Sequence, residues 1–250
     1  MIGLLLREIR AQQKLFWRSR EAAFFTFLLP IIFLLLLGSV YGDEEIDGIK
    51  GSTYLLSGLL GYGVVATAFA GLAISLVLRR ESGVLKRVRG TPLPTSVYLA
   101  AVIASTLVVI AANTVAQLLV ARFVLDARWP ASLGGLALAL LLGALVFAAL
   151  GVALTGAVRS AEGSSALVNA IYLPLTFISG VFFSTEGMPG FLQAIANVSP
   201  LTYLLDLIRS LVLEGDAIYD AGEDLLVLGA WGLAGLIVAL RVFRWEPREA

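Results

Sequence analysis

The chain contains no cysteine and no histidine. Without the first there are no disulfides, thiolate nucleophiles or thiolate metal sites, and without the second the commonest general base and metal ligand is gone. Most enzymatic mechanisms are excluded here and no metal site is expected, while the missing thiols are compatible with either redox compartment. Charge is sparse as well. Only 14% of the 250 residues are charged against 59% hydrophobic, and the mean hydropathy of +0.92 belongs to a bilayer protein. Eighteen basic and eighteen acidic residues cancel, so net charge points to no nucleic-acid partner. What is plentiful suits a membrane: 25 glycines for close helix packing and 10% aromatics for interfacial belts.

Crossing a hydrocarbon core of about 30 Å takes roughly 20 apolar residues in a helix. Six uncharged runs of about that length occur, at residues 22–41, 54–78, 97–121, 133–158, 166–183 and 225–240. The last is short, but snorkelling of Arg241 and Arg244 would extend it to 243. The first is expected to be a retained span, because it is longer than a signal-peptide core and ends without a clear small-x-small cleavage site. Every charge then lies between spans. One side collects fourteen basic residues: Arg7, Arg10, Lys14, Arg18 and Arg20, then Arg79, Arg80, Lys86, Arg87 and Arg89, then Arg159, Arg241, Arg244 and Arg248. The other holds Lys50, Arg122, Arg128 and Arg209 beside twelve of the eighteen acidic residues. The positive-inside rule puts both termini in the cytoplasm.

Residues 1–20 carry Ile2, Leu5, Leu6, Ile9 and Phe16 on one helical face and Arg7, Lys14 and Arg18 on the other, as an interfacial helix does. It serves as a topology anchor or as a contact for a cytoplasmic partner. The loop 79–90 predicts a short amphipathic helix with Val84, Leu85 and Val88 apolar and Gly90 as its stop, before Thr91-Pro92-Leu93-Pro94 breaks the chain. Positive-inside charge and protein docking both fit it. Residues 184–224 are too apolar for a plain loop. Met188-Pro189 starts one short helix with Phe191, Leu192 and Ile195, and Ser199-Pro200 caps a second with the stripe Leu201, Leu204, Leu205, Ile208, Leu211 and Val212. Two such half-helices suggest a dip into the membrane buried against protein, with Asp206 and Arg209 spaced to pair. Small residues at every fourth position (Gly63, Thr67, Gly71 and Ser75; Gly135, Ala139, Gly143, Gly151 and Thr155) predict helix-packing faces. The fold class is therefore all-α, a polytopic membrane protein in one domain, 1–250. Its parts are the surface helix 1–20, spans one to five within 22–183, the outer re-entrant hairpin and loop 184–224, span six 225–243 and the tail 244–250.

No ionisable group for coupling a proton or cation lies inside the spans. The three lysines, Lys14, Lys50 and Lys86, follow Gln13, Ile49 and Leu85, so none completes a phosphate-binding Gly-Lys-[Ser/Thr] loop. Directed work would need energy from another polypeptide. The polar inventory of the spans is Thr26, Tyr62, Asn113, Gln117, Asn169, Tyr172 and Thr176. These line a pathway or bond between helices, and their mild polarity suits an apolar or amphipathic cargo.

The stretch Ile178-Ser179-Gly180-Val181-Phe182-Phe183, continuing through Met188-Pro189-Gly190-Phe191-Leu192 to Ser199-Pro200-Leu201-Thr202-Tyr203 and on to Asp206 and Arg209, resembles the span end, membrane-dipping hairpin and Asn-Pro-Leu-Thr-Tyr motif of ABC-2 family permeases. Ser199 replaces the usual Asn and keeps a capping side chain. Arg80-Glu81-Ser82-Gly83-Val84-Leu85-Lys86-Arg87 with Thr91-Pro92-Leu93 resembles the family's cytoplasmic coupling segment. The resemblance spans essentially the whole chain. It implies a type V exporter-like fold in a bacterial or archaeal plasma membrane and a dimer, with itself or with a sibling permease. It also implies two cytoplasmic ATPase subunits that hold the ATP and Mg, no cofactor being held by this chain. By the same resemblance Arg80, Glu81, Gly83, Lys86, Arg87 and Arg89 would couple to the ATPase, with Arg7, Lys14 and Arg18 on the surface helix. Phe182, Phe183, Pro189, Phe191, Pro200, Tyr203, Asp206 and Arg209 would form the outer gate. The function implied is export of a hydrophobic or amphipathic substrate, with spans one, two and five along the route. An ion-coupled or passive carrier, or a membrane scaffold or immunity-type protein, are the alternatives.

Overall fold

The apolar runs fold into helices whose ends sort by charge. The structure, a computed structural model, describes residues 1–246 except Asp47, Arg159 and 214–220, so expectations on those residues and on Arg248 lie outside it. Helices α1 (Ile2–Arg18) and α2 (Arg20–Tyr41) meet at Ser19. Next, α3 (Gly51–Val64) passes through a π-helical turn (Val65–Gly71) into α4 (Leu72–Glu81), making one rod of 31 residues. Then follow α5 (Val84–Arg89), α6 (Thr95–Val124), α7 (Leu133–Leu154), α8 (Ala161–Ile178), α9 (Gly190–Ala196), α10 (Pro200–Leu213) and α11 (Gly222–Val242). A two-residue antiparallel hairpin, β1 (Glu45–Ile46) with β2 (Ile49–Lys50), turns at Gly48 with φ +74°.

Five of these are long and apolar enough to cross a membrane: α2, the α3–α4 rod, α6, α7 and α11. The pair α9 and α10 forms one further apolar unit, bent by 75°. The run 166–183 departs from expectation. Its helix starts earlier, at a Ser160 cap that accepts the Gly163 N–H at 3.1 Å, and stops at Ile178. Gly180 then adopts φ +85°, a conformation closed to most side chains, so the apolar Val181, Phe182 and Phe183 leave the helix. With Glu162, Gly163 and Ser164 in its first turn, α8 is not among the five.

Contacts define two ends. Arg79 meets Gln12 of α1 and Tyr98 of α6, Arg80 meets Thr155 and Val158 after α7, and Arg89 lies 3.9 Å from Glu246. At the opposite end the Ala131 and Ser132 N–H groups donate to Val212 O and Leu211 O, closing the C-terminus of α10. Between them α10 is enclosed. Leu201, Leu204, Leu205, Leu207 and Ile208 are fully buried against α3, α7 and α11. Glycines make this possible. A Cβ on Gly143 would sit 2.7 Å from Leu204, and one on Gly58 would collide with the carbonyl oxygen of Val181. The α7 stripe thus packs as expected: Gly135 and Gly143 face α10, and Gly151 faces the π turn. Of the rod's stripe, Gly63 packs beside the Asn113 and Gln117 amides, while Thr67, Gly71 and Ser75 border an open cleft.

Gly58→Ala is expected to destabilise the protein by about 1–3 kcal/mol, because backbone must move to admit the methyl. Gly134→Ala, with open space around it, should be neutral or slightly stabilising. Unfolding midpoints in detergent micelles would test this, and equal midpoints for the two variants would contradict the packing.

Candidate functional site

The basic end is built around two adjacent arginines that point differently. Successive residues on a helix are about 100° apart, so Arg79 and Arg80 serve different neighbours. Arg80 is only 2% exposed. Its Nη1 donates to Thr155 O at 2.9 Å, its Nη2 to Val158 O at 2.8 Å and its Nε to Glu81 Oε1 at 2.7 Å. One carbonyl belongs to Thr155, which caps α7, and the other to Val158 in the turn beyond it, and a guanidinium fork suits two such neighbouring acceptors in charge and shape. Arg80 is thus spent inside the protein and is not free to touch a partner directly. It bolts the end of α4 to the end of α7.

Beyond it the chain turns at Ser82 and Gly83, whose φ is +70°. The fully buried Leu85 anchors α5. Lys86, Arg87 and Arg89 are left exposed, with Arg87 Nη2 donating back to Ser82 O at 3.2 Å. On α1, Arg7, Lys14 and Arg18 are exposed. That helix is fixed by residues that sequence reasoning passed over. Gln13 Nε2 donates to Ser105 O and Oγ, and Gln12 Oε1 accepts from Arg79 Nη1 at 2.6 Å. Two glutamines side by side on an otherwise amphipathic helix were the available signal.

At the opposite end, Gly180 O accepts from the Tyr54 hydroxyl at 2.9 Å and from Arg209 Nη2. The Arg209 guanidinium lies 4.1 Å from the Tyr54 ring centre and 3.5 Å from Asp206 Oδ1. Asp206 and Arg209 therefore pair as their spacing predicts. Phe182 is buried among Phe33, Tyr62, Phe177 and Phe183. Ser199 Oγ accepts the Leu201 N–H at 3.2 Å and is hydrogen-bonded to Ser179 Oγ at 2.7 Å, and Pro200 is buried. Tyr203 donates to Asn197 O, and Gln193 donates to carbonyls of Thr185, Glu186 and Met188. Phe183, Pro189 and Phe191 are exposed. Tyr54, which joins the cluster, was missed because it opens a span and reads as an interfacial tyrosine.

The polar residues of the spans form two separate bridges. Asn113 Nδ2 donates to Thr26 O, and Gln117 Nε2 to Asn113 Oδ1, each at 3.0 Å, tying α6 to α2. Tyr62 and Tyr172 hydroxyls meet at 3.0 Å, tying α3 to α8. Thr176 bonds back to Tyr172 O, and Asn169 is half-buried. Interhelical side-chain bonds thus account for Asn113, Tyr62 and Tyr172, while Gln117 and Thr176 bond within their own helices.

These features sit within a known sequence family, because the family model for the ABC-2 type transporter matches residues 4–213. The chain belongs to the ABC-2 type transporter family. Among its relatives, the putative transport permease YvfS of Bacillus subtilis is 27% identical over 200 residues, 80% of this chain and 81% of that one. The daunorubicin resistance ABC transporter permease protein DrrB1 of Streptomyces coeruleorubidus is 28% identical over 231 residues, 89% and 79% of the two chains. The inner membrane transport permease YadH of Escherichia coli K12 is 27% identical over 183 residues, 72% and 69%. The chain is accordingly a transport permease of an ABC system, a multi-pass plasma-membrane subunit that is not catalytic by itself, in a family that implies an ATPase partner.

Replacing Arg80 by Gln is expected to cost about 3 kcal/mol of stability, since it opens two buried carbonyls and strands Glu81. Arg80→Lys should recover less than half, lacking the fork. A shift in the unfolding midpoint in mixed micelles reads both, and a wild-type midpoint for Arg80→Gln would refute the clamp.

Proposed function

We propose that this permease exports a hydrophobic or amphipathic molecule, such as a drug, lipid or glycolipid, from the cytoplasm. Two permease subunits, identical or sibling, pair in the membrane, and ATP with Mg is hydrolysed on a separate cytoplasmic ATPase. Each permease crosses six times as one domain, with α8 as the fifth crossing, α1 lying in the membrane surface, α9 and α10 as the outer hairpin, and both termini inside. The fourteen-to-four division of basic residues supports that orientation.

The observation that carries the reading is the placement of α5. Leu85 roots it in the core, and its cations Lys86, Arg87 and Arg89 face outward beside the Arg80 clamp. A partner pressing on α5 would push on α4 and, through Arg80, on α7. At the far end of the same rod Tyr54 holds Gly180, so the push reaches the hairpin that gates the exit. Spans one, two and five (α2, the rod and α8) flank the route. Exposed Leu28, Ile32 and Leu36 on α2, with Leu167, Ile171 and Phe177 on α8, give apolar walls matched to such a cargo.

Arg87→Gln is expected to lower substrate-stimulated ATP turnover about tenfold in liposomes containing both subunits, as loss of a docking charge does. Arg241→Gln, at the same end but off α5, should leave turnover unchanged. Wild-type coupling in Arg87→Gln would overturn the docking role of α5. Deleting residues 187–197 should change export while the chain still inserts in the membrane, and unchanged export would overturn the gate.

A further inference from the structure

Between α1, α2, the π turn with α4, and α6 lies a cleft of about 500 Å³ that the export reading does not use. Phe16, Leu72 and Val109 give it apolar walls, and Gln12, Arg79 and Ser105 stand at its basic end. Thr106 also lines it, but its hydroxyl is turned back to Val102 O. Leu15 on its rim is half exposed, as is the neighbouring Trp17, so the cleft is continuous with the outward apolar side of α1. From Arg79 to Thr67, both on its wall, the rod rises by about 18 Å, close to the depth of one leaflet.

Arg79 is the unusual member. Its Nη1 donates to Gln12 Oε1 at 2.6 Å and to the Tyr98 hydroxyl at 2.9 Å, both neutral acceptors. Among the described residues no carboxylate lies within ion-pair distance of it, whereas Arg80 next door has Glu81. With both Nη1 hydrogens given to Gln12 and Tyr98, this half-buried guanidinium keeps three N–H donors, on Nε and Nη2, an edge that matches two oxygens of a phosphate. A cation with only neutral partners, at the mouth of an apolar slot one leaflet deep, calls for a ligand with an anionic head and a hydrocarbon tail.

We propose that this cleft holds one resident anionic phospholipid, its phosphate on Arg79 and one acyl chain lying between α1, the π turn and α6. The exposed Arg7, Lys14 and Arg18 on α1 favour the same headgroup charge. The lipid seals α1 to the spans as a wedge. The proposal depends on membrane embedding and not on the direction or cargo of transport.

Native mass spectrometry of the delipidated permease, with lipid added back, tests it. Phosphatidylglycerol should be retained at one per chain and about tenfold more tightly than phosphatidylcholine. Arg79→Gln should remove that preference. Ser75→Phe fills the cleft while leaving the Arg79 bonds in place, so it should abolish retention even if Arg79→Gln fails to fold. Arg241→Gln should retain the lipid. Equal retention of the two lipids, or full retention by Ser75→Phe, overturns the site. Competition by glycerol phosphate as strong as by the lipid overturns it in favour of a bare anion site. Transfer of labelled phosphatidylglycerol across liposomes in step with ATP turnover makes the lipid cargo and overturns residence.

Discussion

Buried backbone that stops being helical must find its hydrogen bonds inside the protein, and this constraint organises the molecule. It is met at both ends by arginine. Where α7 ends, Arg80 takes the Thr155 and Val158 carbonyls, and where α8 ends, Tyr54 and Arg209 take the Gly180 carbonyl. The bent α9–α10 pair meets the same demand with Gln193, Tyr203 and Trp231 bonded to carbonyls along the turn. Such bonds do more than remove a penalty. Lipid tails are as apolar as leucine, so apolar contact alone sets few registers, and the polar contacts decide which helix end sits beside which.

Both clamps involve one element. Tyr54 lies near the start of the α3–α4 rod and Arg80 near its finish, so the rod touches the irregular backbone at each end of the protein. Its π turn sits between them, where Gly151 of α7 comes within 2.8 Å, measured from an ideal Cβ, of Phe69 O. A π turn is one extra residue in a helix, often found at functional sites, and it leaves carbonyls displaced from the regular ladder. Glycine is the residue that lets a neighbour approach them. The rod therefore has a firm grip at both ends and a seam in its middle.

The helices were legible because an uncharged run about 20 residues long leaves a chain in lipid few alternatives. The α10 stripe and its Ser199-Pro200 start were legible for the same local reasons, a 3.6-residue period and a cap. What escaped depended on neighbours. Nothing in Val65–Gly71 distinguishes a π turn from ordinary helix, since the extra residue is stabilised by packing against α7. Arg79 and Arg80 read alike as loop cations, yet one reaches α1 and α6 and the other α7, a distinction set by helical phase. The run 166–183 looked continuous because Val181, Phe182 and Phe183 are apolar. The break is conformational, at Gly180, and the three residues go inward or outward from a turn. Likewise Gly63, Thr67, Gly71 and Ser75 share a stripe, but the first meets the amides of α6 while the other three line the cleft.

The clamps also bear on α8. Its N-terminal cap, Ser160, is two residues past Val158, whose carbonyl Arg80 holds, and two residues past its last turn comes the Gly180 carbonyl held by Tyr54 and Arg209. Midway, Tyr172 bonds Tyr62. The helix is thereby pinned to the rod at three heights, while Leu167, Ile171 and Leu173 stay largely exposed on its other side. A helix tied so closely to one neighbour cannot slide independently, so any displacement of the rod carries the outward face of α8 with it. In the proposed dimer that face is the surface through which a push on α5 would change the width of the passage.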